Sequence, residues 1–172
     1  MTSSEIPAPL WAGAAKTEIT NSEVGATEDP LYAGIETATA NDPLYAKALI
    51  LSDHTTSIAL ITVDAVALGE IGTISNDFLP KLRNRLHQEL EIEPANVLIN
   101  ASHCHGVVCQ DLEERTFQAV ATALQNMVPV SVGVGTGRED RIMENRRLKL
   151  KNGREADVRR AYSLPPDDQV AA

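Results

Sequence analysis

The 172-residue sequence predicts an α/β fold, a mixed and largely parallel sheet flanked by helices and read as an incomplete domain. Three observations predict it. The run Ser57-Ile-Ala-Leu-Ile-Thr-Val63 is almost unbroken in apolarity, as in a strand buried on both faces. Leu79, Leu82, Leu86 and Leu90 recur at spacings of three and four, which aligns them on one helix face. A second short apolar run, Val97-Leu-Ile-Asn-Ala101, follows the helix end at Glu91-Ile-Glu-Pro-Ala-Asn96. Strand, helix and strand joined by short links form a βαβ unit, whose two strands run parallel.

The elements follow in order. Residues 1–40 are rich in Ala, Thr, Ser, Glu and Pro and read as an irregular arm with one strand around Lys16 to Thr20. Residues 41–172 read as the α/β core. Leu44 to Leu51 is mainly apolar, and the polar link Ser52-Asp53-His54 turns it into the Ser57–Val63 run, which suggests a hairpin. Asn76 or Asp77 is placed to cap the leucine-striped helix, and Pro80 falls in its first turn, where a missing N–H costs little. A second helix is expected from Asp111 to Met127, burying Phe117, Val120, Ala121, Leu124 and Val128. Pro129 would stop it, and Val130 to Val134 would form another strand. Arg146 to Lys151, then Asn152-Gly153, then Arg154 onward reads as a hairpin, because Asn-Gly accepts the positive φ angles of a type I′ turn. The proline-rich polar ending, Ser163-Leu-Pro-Pro-Asp-Asp168, closes no element and predicts a larger parent domain.

Composition narrows the function. Apolar residues are 43% and charged residues 23%, which excludes global disorder and a coiled coil. A net charge of -9 argues against a nucleic-acid or anionic-membrane partner, since phosphate binding needs clustered Lys and Arg. No apolar stretch approaches the roughly 20 residues of a transmembrane helix. The opening Met1-Thr-Ser-Ser-Glu-Ile-Pro7 has no basic and apolar leader, so a cytoplasmic location is expected, or secretion if the N-terminus is trimmed. Cys104 and Cys109 cannot form a disulfide framework and are expected as free thiols.

Chemistry concentrates in Ser102-His103-Cys104-His105-Gly106. In an extended chain residues i and i+2 share a side about 6–7 Å apart, so His103 and His105 would face one site while Cys104 faces away. The motif lies where a buried strand runs out, the edge of an α/β sheet where ligands collect. The pair reads either as metal-binding and catalytic imidazoles or as plain exposed histidines. Asp64, closing the preceding strand, would emerge on the same edge. It would orient an imidazole through its second N–H, ligate directly, or simply cap a strand end. A Cys₂His₂ zinc site is excluded by strand alternation and spacing. For Cys109 as a nucleophile no activating base is visible. Gly133-Val-Gly135-Thr-Gly137 lacks the spacing and following helix of a phosphate loop. Arg146 or Arg147 could hold a carboxylate or polar head group near the ligand edge.

Taken together, the ordered segments resemble the N-terminal catalytic part of the neutral/alkaline non-lysosomal ceramidases. They are Gly13-Ala-Ala-Lys-Thr-Glu-Ile-Thr20, Asp42-Pro-Leu-Tyr-Ala-Lys-Ala48, Ile61-Thr-Val-Asp64, Asn96 to His105, Val132 to Gly137, Asn145-Arg146-Arg147 and Asn152-Gly153. The Asn96–His105 stretch resembles the family's Thr-His-Thr-His. The resemblance implies a zinc amidohydrolase that cleaves the N-acyl bond of a lipid amide. It implies His103 as first zinc ligand, His105 as the neighbouring active-site histidine, Arg146 as a substrate-binding arginine, and Gly34 as a pocket-lining glycine. It also implies that the remaining ligands (a His, a Glu and a Tyr) and the catalytic serine lie beyond these residues. Two departures stand out: Thr20 precedes Asn21 where the family has proline, and Gly106-Val-Val-Cys109 replaces the family's Ser-Gly-Pro. The altered loop borders the expected metal, which leaves the acyl substrate open. The competing expectation is a non-catalytic binding or scaffold domain that retains the family core.

Overall fold

The computed structural model describes residues 9–21, 42–139, 147–149 and 152–157. The chain divides into two compact units, Met1–Val132 and Gly133–Ala172.

In the first unit, strands β1 (Leu10–Glu18), β2 (Tyr45–Ser52), β3 (Ser57–Val63), β4 (Val97–Ala101) and β5 (Val128–Val130) form one sheet in the order β4-β3-β2-β1-β5. Helices α1 (Phe78–Leu90) and α2 (Leu112–Gln125) complete the α/β arrangement. The sheet is mixed, but it is not largely parallel. Only β3 and β4 run parallel, in the register Ile61↔Ile99, whereas β1–β2, β2–β3 and β1–β5 are antiparallel. The reason is connectivity. Only the α1 crossover returns the chain to the same end of the sheet, and the tight 53–56 turn forces β2 and β3 to oppose each other.

That turn is built by Asp53. Its Oδ1 accepts the N–H groups of Thr55 (2.9 Å) and Thr56 (2.7 Å), and His54 takes the left-handed φ of 68°. Helix α1 ends in the same way at Glu91 (φ 55°). The Glu91 N–H reaches the His87 carbonyl, the Ile92 N–H reaches that of Leu86, and Ile92 is fully buried. Pro80 sits in the first turn as expected, while Asp77 caps by position only, its carboxylate being engaged by Ser75 and Lys81.

Strand β1 is longer than the expected Lys16–Thr20 segment and lies inside the sheet, flanked by β2 and β5. Its small residues explain this position. Gly13 is buried where the Ala123 carbonyl of α2 passes, so the helix seats directly on the strand backbone. Helix α2 buries Leu112, Thr116, Ala119, Val120 and Ala123, with Phe117 and Leu124 packed beside them. The expected face is thus rotated, and Val128 belongs to β5, where it is exposed. Pro129 pairs within β5 rather than ending a helix, a position open to it because an edge strand leaves one row of groups unpaired. The expected strand at Val130–Val134 is replaced by β5, which ends at Val130.

The core lies between the helices and one face of the sheet, made by Ala46, Ala48 and Ile50 of β2, Ala59, Ile61 and Val63 of β3, and Val97 of β4. The alternate residues point the other way. Cross-strand rows Ala14–Leu49–Leu60–Leu98 and Val128–Ala12–Leu51–Ile58 make that face apolar, and Leu49, Ile58, Leu98 and Val128 are exposed on it.

In the second unit, β6 (Arg147–Lys149) and β7 (Glu155–Asp157) form the expected hairpin. Lys149 pairs with Glu155, so more residues separate the paired positions than the two of a type I′ turn. Gly153 takes φ 81°, and the Asn152 side chain accepts the Arg154 N–H at 3.0 Å.

Candidate functional site

The parallel pair β3–β4 decides where the histidines fall. Both strands end together, and their exits continue side by side as non-strand chain. The Ser102 N–H donates to the Val63 carbonyl at 3.0 Å, and the Cys104 N–H to that of Ala65 at 3.1 Å. Residues 63–66 therefore act as a rail for 102–104. On the other side, Asn21 N–H donates to Val107 carbonyl and Cys109 N–H to Ile19 carbonyl, with Thr20 bridging Val108. The segment carrying the two histidines is gripped from both flanks.

His103 does not continue the extended strand: its φ is 63°. Even so, the rings of His103 and His105 come together edge-to-face, with centroids 5.2 Å apart, and both residues are exposed. A left-handed kink, not strand alternation, brings them to one place. Cys104 is half-buried and packs against the core.

The His103 ring is fixed by one bond. Its Nδ1 lies 3.0 Å from the Val66 carbonyl oxygen. A carbonyl can only accept, so Nδ1 carries the proton and donates, and in the neutral ring Nε2 keeps its lone pair. A metal-binding imidazole is set up in this way, its second N–H fixed by a backbone carbonyl.

Asp64 emerges at the same edge, as expected, but serves a different partner. Its Oδ2 accepts the Tyr45 N–H (3.1 Å) and the Lys47 ammonium (3.0 Å), and Oδ1 lies 3.4 Å from Lys47. The carboxylate–imidazole bond anticipated from the sequence is not among these, because Val66 already takes the His103 proton. Burial pushes the Asp64 carboxyl up. Hydrogen bonds from Lys47, the Tyr45 N–H and the Ser102 side chain outweigh that and hold it below the ordinary value.

The cysteines behave as expected of free thiols. Burial, then the neighbouring Asp111 carboxylate, push the Cys109 thiol up to about 11, the opposite of an activated nucleophile. Gly34 and Arg146 lie outside the described residues, and nothing structural is assigned to them.

A small cleft of about 30 Å³ is lined by Val66, Ile71, Thr73, Gly106 and Val108 among others, and neither histidine is among its lining residues. Gly106 also packs closely on Leu44, whose Cδ1 a Cβ at that position would meet at 2.6 Å. Sequence reading missed Val66, Tyr45 and Lys47. The hairpin register, in which Ala46 faces Val63, was the available signal for the last two. A backbone carbonyl leaves no signal.

Among the described residues, no three His, Cys, Asp or Glu side chains converge on one point. A catalytic zinc takes three protein ligands. Imidazole is a donor type such an ion accepts, but the described residues by themselves do not complete a three-ligand set. No described helix is long and apolar enough to cross a membrane.

No family model and no curated protein matches the sequence. Among solved structures the chain is similar to neutral ceramidase from Pseudomonas aeruginosa, at 15% identity and a TM-score of 0.56 over 70% of this chain and 22% of that one. It is also similar to a ceramidase complexed with C2, at 16% identity and a TM-score of 0.53, with the same 70% and 22% shares. The matched part thus spans under a quarter of those ceramidase chains, and over that span the present chain has a ceramidase-like fold.

Proposed function

We propose that these residues contribute part of the active site of a zinc-dependent amide hydrolase of the neutral ceramidase kind, acting on a lipid or other N-acyl amide. One observation carries the reading: the Val66 carbonyl takes the Nδ1 proton of His103 and leaves Nε2 as a free donor, with the His105 ring beside it. Plain surface histidines need no such orientation. The ceramidase-like fold supports the same reading.

In this scheme His103 supplies one zinc ligand through Nε2. His105 lies close enough to orient a water molecule or to pass a proton, and its exposure leaves it open to substrate. Zinc, when bound, supplies a water acidified toward a pKa of about 7 and a Lewis acid for the amide carbonyl. Arg146 is proposed to hold a polar part of the substrate and Gly34 to line its pocket.

The test is zinc titration of the 172-residue chain, followed by the imidazole nitrogen resonances. Zinc is expected to shift His103 Nε2, and His103→Ala is expected to abolish that binding. Equal binding by His103→Ala, or no Nε2 shift in the parent, overturns the ligand assignment and favours a scaffold domain. For His105, the measure is kcat/KM of the whole hydrolase with His105→Ala, expected to fall about 10²–10⁴-fold. No change removes its role.

A further inference from the structure

We propose that Asp64 is a positioning residue for the His103 imidazole, acting through the backbone instead of touching a ring. Its importance to function rests on the reading of His103 as a metal ligand, but the geometry does not.

The His103 ring is tethered to the carbonyl of residue 66, so its position follows that of the 63–66 rail. Two bonds join the rail to the histidine segment, Ser102 N–H to Val63 carbonyl and Cys104 N–H to Ala65 carbonyl. They flank His103 on one side and Asp64 on the other. Asp64 is in turn held to the start of β2 at three points. Its N–H donates to the Tyr45 carbonyl at 2.9 Å, its Oδ2 accepts the Tyr45 N–H at 3.1 Å, and Lys47 lies on both carboxylate oxygens.

The result is a relay of contacts: β2 holds residue 64, residue 64 holds its neighbours 63 and 65, and these hold 102 and 104 around the ring, while the Asp64 carboxylate also takes a hydrogen bond from the Ser102 side chain beside His103. Such a relay is needed because His103 sits at φ 63°, a conformation disfavoured for an L-residue with a Cβ and kept only where the surroundings over-determine it. The Asp64 carboxylate is a point at which a single substitution can loosen the rail without altering the histidines. Removing it also leaves the part-buried Tyr45 N–H without its acceptor.

The experiment reads the ring itself in the ¹⁵N-labelled chain without metal, at a pH above the imidazole range. Long-range ¹H–¹⁵N correlations report which nitrogen of His103 carries the proton. The parent is expected to show a protonated Nδ1 and an unprotonated Nε2. Asp64→Ala is expected to lose that bias and give the mixed tautomers of a free imidazole, with zinc affinity falling by about 10-fold or more, as for loss of an outer-shell partner. Asp64→Asn keeps an acceptor for Tyr45 and is expected to restore the Nδ1–H signal. Asp53→Ala, which removes a carboxylate from the distant 53–56 turn, should leave the ring untouched. A folded Asp64→Ala with the parent tautomer overturns the proposal. Should Asp64→Ala not fold, Asp64→Ser, too short to hold both Tyr45 and Lys47, is read in the same way: an unaltered ring overturns the proposal and a released ring supports it. Because the tautomer is read without metal, a zinc that fails to shift Nε2 in the parent defeats the metal reading while leaving the clasp standing.

Discussion

At Gly13 the backbone of α2 passes close over the sheet, and substitution there tests the whole packing arrangement. A Cβ on Gly13 would overlap the Ala123 carbonyl oxygen of α2 outright and would lie 3.0 Å from both the Ala123 carbonyl carbon and Met127 Sδ. Comfortable separations between carbon atoms are about 3.5–4.0 Å. Met127 could swing away, but the carbonyl is helix backbone. Relief therefore requires α2 to lift from β1, or β1 to shift against both β2 and β5. Lifting α2 loosens the contacts of Thr116, Ala119, Val120 and Ala123, all of which are fully buried. Overpacking costs about 1–3 kcal/mol where neighbours can adjust, and occasionally more. With backbone on both sides the upper figure applies, so Gly13→Ala should cost about 3 kcal/mol. For a folded region of this size that lowers Tm by roughly 10 °C. The assay is thermal unfolding followed by far-UV circular dichroism, with Gly133→Ala as the control, because a Cβ there meets nothing within 4 Å. A Gly13→Ala melt indistinguishable from that of Gly133→Ala would refute the seating of α2 on β1.

Other outcomes follow from the same geometry. Gly106→Ala drives a methyl into buried Leu44, and should cost about 1–3 kcal/mol by thermal melt while displacing the His105 resonances. Cys109 holds its proton more tightly in the folded chain, so its contribution to stability is complete below about pH 9 and is lost as pH rises toward 11, at about 1.4 kcal/mol per unit. Denaturant melts across that window should decline less steeply for Cys109→Ala. Leu98→Lys on the exposed sheet face should change stability by under about 0.5 kcal/mol yet reduce binding of an apolar dye, because Leu98 is 56% exposed. An unchanged dye signal would show that this face is covered in solution.

Periodicity alone located β3, β4 and both helices, because burial on one face leaves a mark at spacings of two or three to four residues. It also placed two imidazoles at a strand end, since a βαβ unit brings parallel strand ends to one edge. The strand reading of their geometry was incomplete. Alternation predicted the shared side, but the left-handed φ of His103 produced it, and that angle depends on hydrogen bonds to residues some forty positions earlier in the chain. The first part of strand β1, before Lys16, escaped a propensity reading for a related reason. Leu10–Glu18 is rich in Ala and Gly, poor strand formers that become strand only because a helix needs close approach there.

What the amino-acid order determined by itself was therefore β2, β3, β4 and both helices, the α/β class and the meeting of His103, His105 and Asp64 at one edge. The tertiary structure alone decided the mostly antiparallel pairing, the engagement of Asp64 by Tyr45 and Lys47, and the choice of Val66 as the partner of His103. The physical reason is that side-chain pattern records burial, whereas backbone N–H and carbonyl groups are identical at nearly every position. Which of them a carboxylate or an imidazole meets is settled only when the chain has packed.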